Sequence, residues 1–415
     1  MIQYILWGVS FISLWISLVW LNVLVLEPEH KKQLPPRKLP RVTIALPCYN
    51  EEKRLAKTVQ SISESRYPQG LLDVIIVDDC SKDGTFALAK RLQGEYKKLH
   101  IRVFRHERNK GKAAAMNTVL KKTTTELYTC LDAETRIHPD ALQYLVAHFG
   151  EPRLGAVIGA VKVDEPKNLF QQMQRVEYIM SNFIRRMMSH LGTLATAPGG
   201  ACAMFRTKTL RELGGFDEAG MTEDLEIALR LRNNQYEVCM EPRALTYTVT
   251  PKNWQALWRQ RIRWYRGFLV NHVRYRGILF SRQHGLYGMF QMPLNVLGIL
   301  LLLLTVLLVT YGQISDMYEL LYRSLTIKGY FLNQVLNFPT LKEFLLSQNV
   351  QIVLPIVVAS LLGFYLLYLA HRKLNESVLP HAHHVWFYLL VAPCLTTMHW
   401  ITALMHETFG TRRKW

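Results

Sequence analysis

Four long apolar stretches constrain this chain more than any other feature of its sequence. Residues 4–26 carry no charged side chain, and a helix of about 20 apolar residues is long enough to cross a bilayer. No basic residue precedes this run, and it is too long for the apolar region of a signal peptide, so it is predicted to be an uncleaved span. Three further runs, near residues 287–311, 350–370 and 385–405, predict a C-terminal membrane bundle.

The charge distribution predicts an orientation for the segment between these spans. The sequence EPEHKKQLPPRKLPR follows the first span directly. Because basic residues favour the cytoplasmic side, residues 27–285 are expected in the cytoplasm, at the plasma (inner) membrane. The net charge of +18 then suits membrane lipids or the phosphates of a nucleotide, and no nucleic-acid partner is expected. The six cysteines are scattered without a CxxC pair, which predicts free thiols and no zinc site.

From residue 41 the sequence alternates between strand and helix patterns. The apolar segments RVTIALP, LLDVIIVDD, IRVFRH and LYTCLDAE are typical of buried parallel strands, and segments with helical spacing separate them. This pattern predicts an α/β domain with a mostly parallel sheet covered on both faces. Ligands of such sheets bind beyond the carboxyl ends of the strands.

Polar segments stand at these predicted carboxyl ends. Each could be an ordinary turn, helix cap or solvated loop, but all of them fall on one rim of the sheet. Asp132 and Glu134 are closely spaced carboxylates that suit Mg²⁺ or Mn²⁺, which would neutralise a diphosphate. Lys112 opens a helix after a glycine and could bind the same phosphates. Asp79 could accept hydrogen bonds from a base or ribose, and Tyr49 could pack against the base.

The segment GGFDEAGMTEDLEIALRLRNN, residues 214–234, has two interpretations. Thr222 is a good N-cap, and Glu223 and Asp224 suit the positive end of a helix dipole, so the three residues could simply begin a helix. Alternatively, one carboxylate is a catalytic base presented by that helix, which the dipole would help to keep ionised.

Two amphipathic segments flank this region. In residues 252–267 the aromatic and apolar side chains form one helical stripe and the arginines form another, which is typical of a helix at a membrane interface. The first stripe comprises Trp254, Trp258, Ile262 and Tyr265, and the second Arg259, Arg263 and Arg266. Residues 168–190 also have an amphipathic pattern; no chemistry is assigned to them, although they could flank an acceptor site.

The motifs ALPCYNEE, VIIVDDCSKDGT, NKGKAAAMN, LDAET, PGGACAMFR, MTED and QRIRW occur in this order. The chain thereby resembles membrane-embedded family 2 glycosyltransferases, which have a GT-A-like fold. It is most similar to the processive synthases of poly-N-acetylglucosamine, hyaluronan and cellulose. The resemblance covers roughly residues 40–270 and rests on the ordered set of motifs rather than on any one of them.

The resemblance implies a role for each matching position. The nucleotide would contact Pro47, Tyr49, Glu51, Asp79 and Lys112. The metal-binding D-x-D position would be filled by Asp132 and Glu134, where Glu replaces the usual second Asp. Asp224, with Glu223 beside it, would end the T-E-D motif as the general base. The Q-x-x-R-W signature beside the diphosphate and acceptor would be Gln260, Arg263 and Trp264.

These observations together predict an inverting glycosyltransferase that uses Mg²⁺ or Mn²⁺ and a nucleotide sugar, by analogy a UDP-sugar such as UDP-N-acetylglucosamine. The leading hypothesis is a processive synthase that elongates and translocates a polysaccharide. One alternative is a transferase that adds a single sugar to a polyprenyl-phosphate or other lipid acceptor. The other is a non-catalytic membrane scaffold. Membrane lipids, and an accessory membrane subunit or a second copy of the chain, are the other expected partners. The predicted segments are the first span (1–27), the catalytic domain (28–250), the interfacial helices (251–284) and the membrane bundle (285–415).

Overall fold

A computed structural model describes residues 2–25, 38–198, 200, 202–337, 340, 343, 350–374, 376 and 382–411. The chain divides into two compact units. One consists of residues 1–26 and 294–372, and the other of residues 27–293 and 373–415. The basic segment at 27–37, on which the predicted orientation depends, lies outside the described residues. The predicted division of the chain into four segments stays a prediction.

The larger unit is built on one mixed, eight-stranded sheet with the order β3-β2-β1-β4-β7-β6-β8-β5. Parallel pairing joins β3 to β2, β2 to β1, β1 to β4, and β6 to β8. The pairs β4–β7, β7–β6 and β5–β8 are antiparallel. The strands are β1 Val42–Cys48, β2 Leu72–Asp78, β3 His100–Arg105, β4 Leu127–Cys130, β5 Thr135–Ile137, β6 Leu154–Val163, β7 Met204–Arg206 and β8 Glu237–Thr248.

Helices cover both faces of this sheet, as the near-continuous apolar strands predict. One buried cluster packs the sheet against α2, α3 and α5, and a second packs the other face against α4 and α8. The α-helices of this region are α2 Leu55–Ser63, α3 Thr85–Glu95, α4 Lys112–Lys122, α5 Ala141–Val146, α6 Leu169–His190, α7 Thr207–Glu212, α8 Glu223–Asn233 and α9 Trp254–Arg274. The α/β class and the first four strands, with the helices between them, are thus confirmed.

Two of these helices, α6 and α9, begin with the same local sequence. Asn168 and Asn253 each follow Pro-Lys and occupy the N-cap position. The Asn168 side chain accepts a hydrogen bond from the Gln171 amide at 2.9 Å, and Asn253 accepts one from the Ala256 amide at 3.0 Å. A cap of this kind stabilises a helix by about 1 kcal/mol. The Asn168 amide also donates to the Lys252 carbonyl at 2.9 Å, which ties the two helix starts together.

Four described helices are long and apolar enough to cross a membrane: Tyr4–Leu24, Tyr287–Thr326, Val353–Lys373 and His383–Thr408. They match the four predicted spans, although the second runs 15 residues beyond its predicted end, to Thr326 rather than 311. The helices concerned are α1 Ile2–Val25, α10 Met292–Thr326, α12 Val350–Lys373 and α13 Ala382–Thr408, and a short helix, α11 Tyr330–Leu336, follows α10.

The aromatic stripe of α9 contacts another helix. Trp258 lies 4.6 Å from His399 of α13, and Tyr265 lies 4.5 Å from Trp400, between ring centroids. Arg266, which the sequence places in the basic stripe of α9, is buried, with only 6% of its surface exposed. Its guanidinium pairs with Glu407 of α13 at 2.6 Å, which supplies the counter-charge that a buried arginine requires.

Candidate active site

All of the predicted site residues line one cavity of about 350 Å³. Its floor lies at the carboxyl ends of β1, β2 and β4, which are neighbours in the parallel half of the sheet. This is the edge where ligands of such sheets bind. The predicted residues in its wall are Pro47, Tyr49, Glu51, Asp79, Lys112, Asp132, Glu134, Glu223, Asp224, Gln260, Arg263 and Trp264.

The end of β1 supplies an aromatic ring to this cavity. Pro47 lies within the strand, and Tyr49 follows its last residue with 43% of its surface exposed. Asn50 adopts a positive φ of 57°, which asparagine tolerates better than most residues. Its side-chain oxygen accepts a hydrogen bond from the Lys82 amide at 2.9 Å, so the loops after β1 and β2 are joined. Tyr49 therefore lies on a loop that a hydrogen bond ties to the loop after β2.

Asp79 lies just after β2 and is almost fully buried, at 3% exposure. One carboxylate oxygen accepts a hydrogen bond from the Lys110 amide at 2.9 Å and contacts His106 Nδ1 at 2.7 Å. The other accepts one from the Gly111 amide at 2.7 Å. Asp79 thus anchors the loop that begins α4, in addition to lining the cavity.

Lys112, the first residue of α4, connects two sides of the cavity. Its ammonium group lies 2.6 Å from Asp132 Oδ1 and 3.1 Å from Glu223 Oε1. Although burial disfavours its charge, these carboxylates hold the pKa of Lys112 well above its ordinary value. Lys112 is therefore a cation fixed between the end of β4 and the start of α8.

Arg54 makes a second bridge between acidic residues. Its guanidinium lies 3.0 Å from Glu134 and 3.4 Å from Glu51. Burial, and then the nearby charge of Asp132, raise the pKa of the Glu134 carboxyl to about 7. Burial also raises the pKa of Glu51, against the opposing effect of Arg54. Burial thus disfavours the charged form of both Glu51 and Glu134.

The donor chemistry of this region fits a divalent cation. Mg²⁺ and Mn²⁺ prefer oxygen ligands, and the mutual repulsion of Asp132 and Glu134 would be relieved by a bound ion. Within the described residues, no three His, Cys, Asp or Glu side chains converge as a ready-made metal site. Mg²⁺ is commonly bound by one or two carboxylates together with substrate phosphates and water, so two carboxylates are sufficient. Asp132 and Glu134 are the residues that could hold it.

Asp224 lies in the first turn of α8 and faces the cavity. One of its oxygens accepts a hydrogen bond from the Leu225 amide at 2.8 Å. Burial, and then the negative charge of Glu223, raise the pKa of Asp224. The pKa of Glu223 is instead lowered, because Lys112 outweighs the effect of burial. The helix dipole is expected to help to keep Asp224 ionised, but burial and the like charge of Glu223 raise its pKa instead.

The two helices that carry the T-E-D and Q-x-x-R-W motifs meet at a glycine. A methyl group added at Gly267 of α9 would overlap the Thr222 side chain. Asn271, one turn further along α9, donates a hydrogen bond to Thr222 Oγ1 at 3.0 Å. Thr222 occupies the N-cap position of α8, but its side chain makes no capping hydrogen bond. The expected cap is wrong because the hydroxyl is used to contact α9.

The three predicted residues of α9 form part of the cavity wall. Gln260, Arg263 and Trp264 all line it, and Trp264 keeps 37% of its surface exposed. The side-chain oxygen of Gln260 is buried and has no hydrogen-bond partner among the described residues. A buried acceptor without a donor is uncommon in native structures, which suits a group that receives a ligand hydrogen.

The sequence interpretation assigned no chemistry to α6, but this helix forms another wall of the cavity. Glu177, Tyr178, Ser181 and Arg185 all line it. Glu177, Ser181 and Arg185 recur at intervals of four residues and form a polar stripe. The buried apolar stripe of Met173, Val176 and Ile179 packs in the core. The four-residue spacing of these polar side chains is a signal in the sequence, but the apolar stripe on the same helix is equally typical of a helix that packs in the core.

Comparisons with known proteins identify the family to which the chain belongs. A family described as "Glycosyltransferase like family 2" matches residues 40–267. The poly-beta-1,6-N-acetyl-D-glucosamine synthase of Staphylococcus epidermidis is 32% identical over 249 residues, which are 59% of this chain and 57% of that protein. The synthase of the same name from Staphylococcus aureus strain COL is 28% identical over 232 residues, 55% of each chain. The match thus spans little more than half the length of these relatives.

A solved structure is similar over a larger share of the chain. The mannosyltransferase PcManGT from Pyrobaculum calidifontis, in complex with GDP-Man and Mn²⁺, superimposes with a TM-score of 0.58 at 21% identity. The similarity covers 81% of this chain and 96% of that one. At this level of identity the likeness concerns the fold, which is GT-A-like. Because the family match covers more than half of the sequence, the chain belongs to glycosyltransferase family 2.

Proposed function

We propose that this glycosyltransferase transfers a sugar, with inversion, from a nucleotide sugar onto a growing polysaccharide and passes the product across the membrane. The proposal rests on a single cavity that brings three features together. Its wall includes Asp224, a carboxylate with a raised pKa, the carboxylates Asp132 and Glu134, and the partly exposed ring of Trp264. The names of the curated relatives support N-acetylglucosamine as the sugar, and UDP is the nucleotide expected by analogy.

The donor would bind along the strand ends. The Tyr49 ring would pack against the base, with Pro47, Glu51 and Asp79 around the base and ribose. Lys112 would bind the diphosphate with its ammonium group. Asp132 and Glu134 would hold Mg²⁺ or Mn²⁺, which would supply positive charge to the diphosphate as it leaves.

The acceptor would enter from the side of α9 and α6. Its hydroxyl oxygen attacks the anomeric carbon, the bond from that carbon to the diphosphate oxygen breaks, and the nucleoside diphosphate departs with the electron pair. Asp224 takes the hydroxyl proton, and its raised pKa suits this task. Glu223 and Lys112 hold each other in place beside it, while Arg263 faces the diphosphate. The hydroxyl attacks in line with the departing diphosphate in a single displacement, so the configuration at the anomeric carbon inverts without a covalent bond to the protein.

The test is a transfer assay on the full chain in nanodiscs with Mg²⁺ or Mn²⁺. Release of nucleoside diphosphate is measured for a panel of UDP- and GDP-sugars, with Asp224→Asn alongside, and the products are sized by mass spectrometry. A polymer made from one donor by the parent alone supports the proposal. A product with one added sugar that forms only with polyprenyl phosphate would replace the polysaccharide by a lipid acceptor. The absence of release from every donor would count against catalysis and favour a binding protein.

A separate assay in sealed vesicles addresses the predicted side of the membrane. Sealed vesicles that expose the larger unit should use added donor, and vesicles of the opposite orientation should not. The cytoplasmic location, an accessory subunit and self-association stay predictions.

A further inference from the structure

The Trp264 ring is held by an arginine from its own helix. Arg261 precedes it by three residues, which places the two side chains next to each other on α9. The centre of the Arg261 guanidinium lies 4.1 Å from the centroid of the ring. Only 5% of the Arg261 side chain is exposed, so this cation–π contact is largely shielded from water. Such shielding strengthens the attraction.

A residue of α6 anchors one end of this guanidinium. Arg261 Nη2 donates a hydrogen bond to Glu177 Oε2 at 2.8 Å. Arg261 Nη1 is buried and has no hydrogen-bond partner among the described residues. A buried donor without an acceptor is unfavourable, so hydrogen bonding alone does not explain the position of the guanidinium. Its stacking on Trp264 does.

The exposed part of the ring faces the cavity, since Trp264 is a lining residue and Arg261 is not. An indole ring with one face covered by a guanidinium presents its other face as a flat apolar surface. The C–H face of a pyranose ring is apolar and of similar width, so it is suited to pack against such a surface.

We infer that Glu177 and Arg261 are positioning residues that hold the Trp264 ring so that it stacks on a sugar of the acceptor. This inference rests on the proposed function for its acceptor. Glu177 acts on Arg261, and Arg261 acts on the ring. Release of the guanidinium would let the indole rotate about its side-chain bonds, which would weaken acceptor binding while the donor half of the cavity stays as it is.

The kinetic test uses the full chain in nanodiscs, UDP-N-acetylglucosamine as donor and a β-1,6-linked N-acetylglucosamine tetramer as acceptor. Glu177→Gln and Arg261→Lys should each raise the KM for the tetramer by about five- to thirtyfold, the range of a shielded cation–π contact. The KM for the donor should change by less than about twofold on the same scale. Because both residues act through the ring, Glu177→Gln should add almost nothing in a Trp264→Ala background.

Arg243 provides a matched control. It lies 4.6 Å from the Tyr144 ring and pairs with Glu241 at 2.8 Å, which repeats the same arrangement away from the cavity. Arg243→Lys should leave both KM values unchanged. An equal effect of Glu177→Gln with and without Trp264 would overturn the inference, because Glu177 would then bind the acceptor directly. A parental KM for the tetramer in Glu177→Gln would overturn it as well.

A second readout does not depend on transfer. The chain is labelled with 5-fluorotryptophan, and the ¹⁹F resonance of Trp264 is assigned by its loss in Trp264→Phe. Glu177→Gln should shift or broaden this resonance and leave those of the other tryptophans in place. An unchanged resonance would overturn the positioning role even in an active enzyme. A shifted resonance in a chain that transfers no sugar would uphold the positioning and contradict the proposed function instead.

Discussion

Replacement of Gly267 by alanine is the sharpest test of how α9 supports the catalytic turn. The added methyl would lie 2.9 Å from Thr222 Cβ and closer still to the two outer atoms of that side chain. Thr222 is 5% exposed, so it has little room to withdraw. Either α9 or the turn before Glu223 and Asp224 must move.

The magnitude follows from two opposing effects on stability. Alanine is better than glycine in a helix interior by about 1 kcal/mol. Overpacking of a buried contact costs about 1–3 kcal/mol. The free energy of unfolding should therefore fall by no more than about 2 kcal/mol, and the protein should fold. Displacement of a catalytic group by about 1 Å lowers the rate by about a hundredfold, so kcat should fall far more than stability does.

The assay is the initial rate of UDP release, with thermal unfolding measured on the same nanodisc samples. Gly94→Ala is the matched control, because Gly94 lies in α3 and an added methyl there meets nothing within 4 Å. It should raise stability slightly and leave the rate unchanged. The double variant Gly267→Ala/Thr222→Ala should regain part of the lost rate, since two of the overlapping atoms are gone. A Gly267→Ala enzyme with the parental rate would refute the proposed contact between the two motifs.

Three further results are expected. Asp224→Asn should lower kcat by about a thousandfold, the usual contribution of a general base, while UDP affinity measured by calorimetry stays within about twofold; a parental kcat would remove the residue from that role. Asp132→Ala should weaken UDP binding by about tenfold or more in Mn²⁺ but not in EDTA, and an equal loss in both would count against the metal site. Burial lowers the pKa of His272 to about 4, so the unfolded chain, with a pKa of about 6.5, takes up a proton between these values that the folded chain does not. Stability contributed by the neutral ring should be complete above pH 6.5 and fall by about 3 kcal/mol towards pH 4. The apparent Tm of His272→Gln should decline less than that of the parent over this range, and parallel declines would refute the assignment.

The parallel half of the sheet was predictable because its strands are buried on both faces. β2 is buried at every position and five of its seven residues are apolar, and α2 and α4 show helical spacing. The antiparallel strands were not assigned. β5 and β7 have only three residues each, too few for a period of two to stand out. Their place depends on pairing with distant strands, which the local sequence does not encode.

The site was predictable as a set of residues but not as a set of contacts. The strand-end motifs, the T-E-D motif and the Q-x-x-R-W motif supplied the predicted residues, and all of these line the cavity. The bridging positions of Lys112 and Arg54 depend on how three strand ends and α8 converge. The raised pKa of Asp224 likewise depends on burial by the surrounding walls, which is a tertiary effect.

The packing of α9 on α13 has a consequence for the lipid. α13 spans the membrane, and it contacts α9 through an aromatic layer and through the ion pair of Arg266 with Glu407. A bilayer that is thinner or thicker than the apolar length of a spanning helix changes the tilt of that helix. Tilt of α13 would move α9, and with it Arg263 and Trp264. The acyl-chain length of the surrounding lipid should therefore affect the positions of Arg263 and Trp264 in the cavity. Turnover should pass through an optimum as that length is varied.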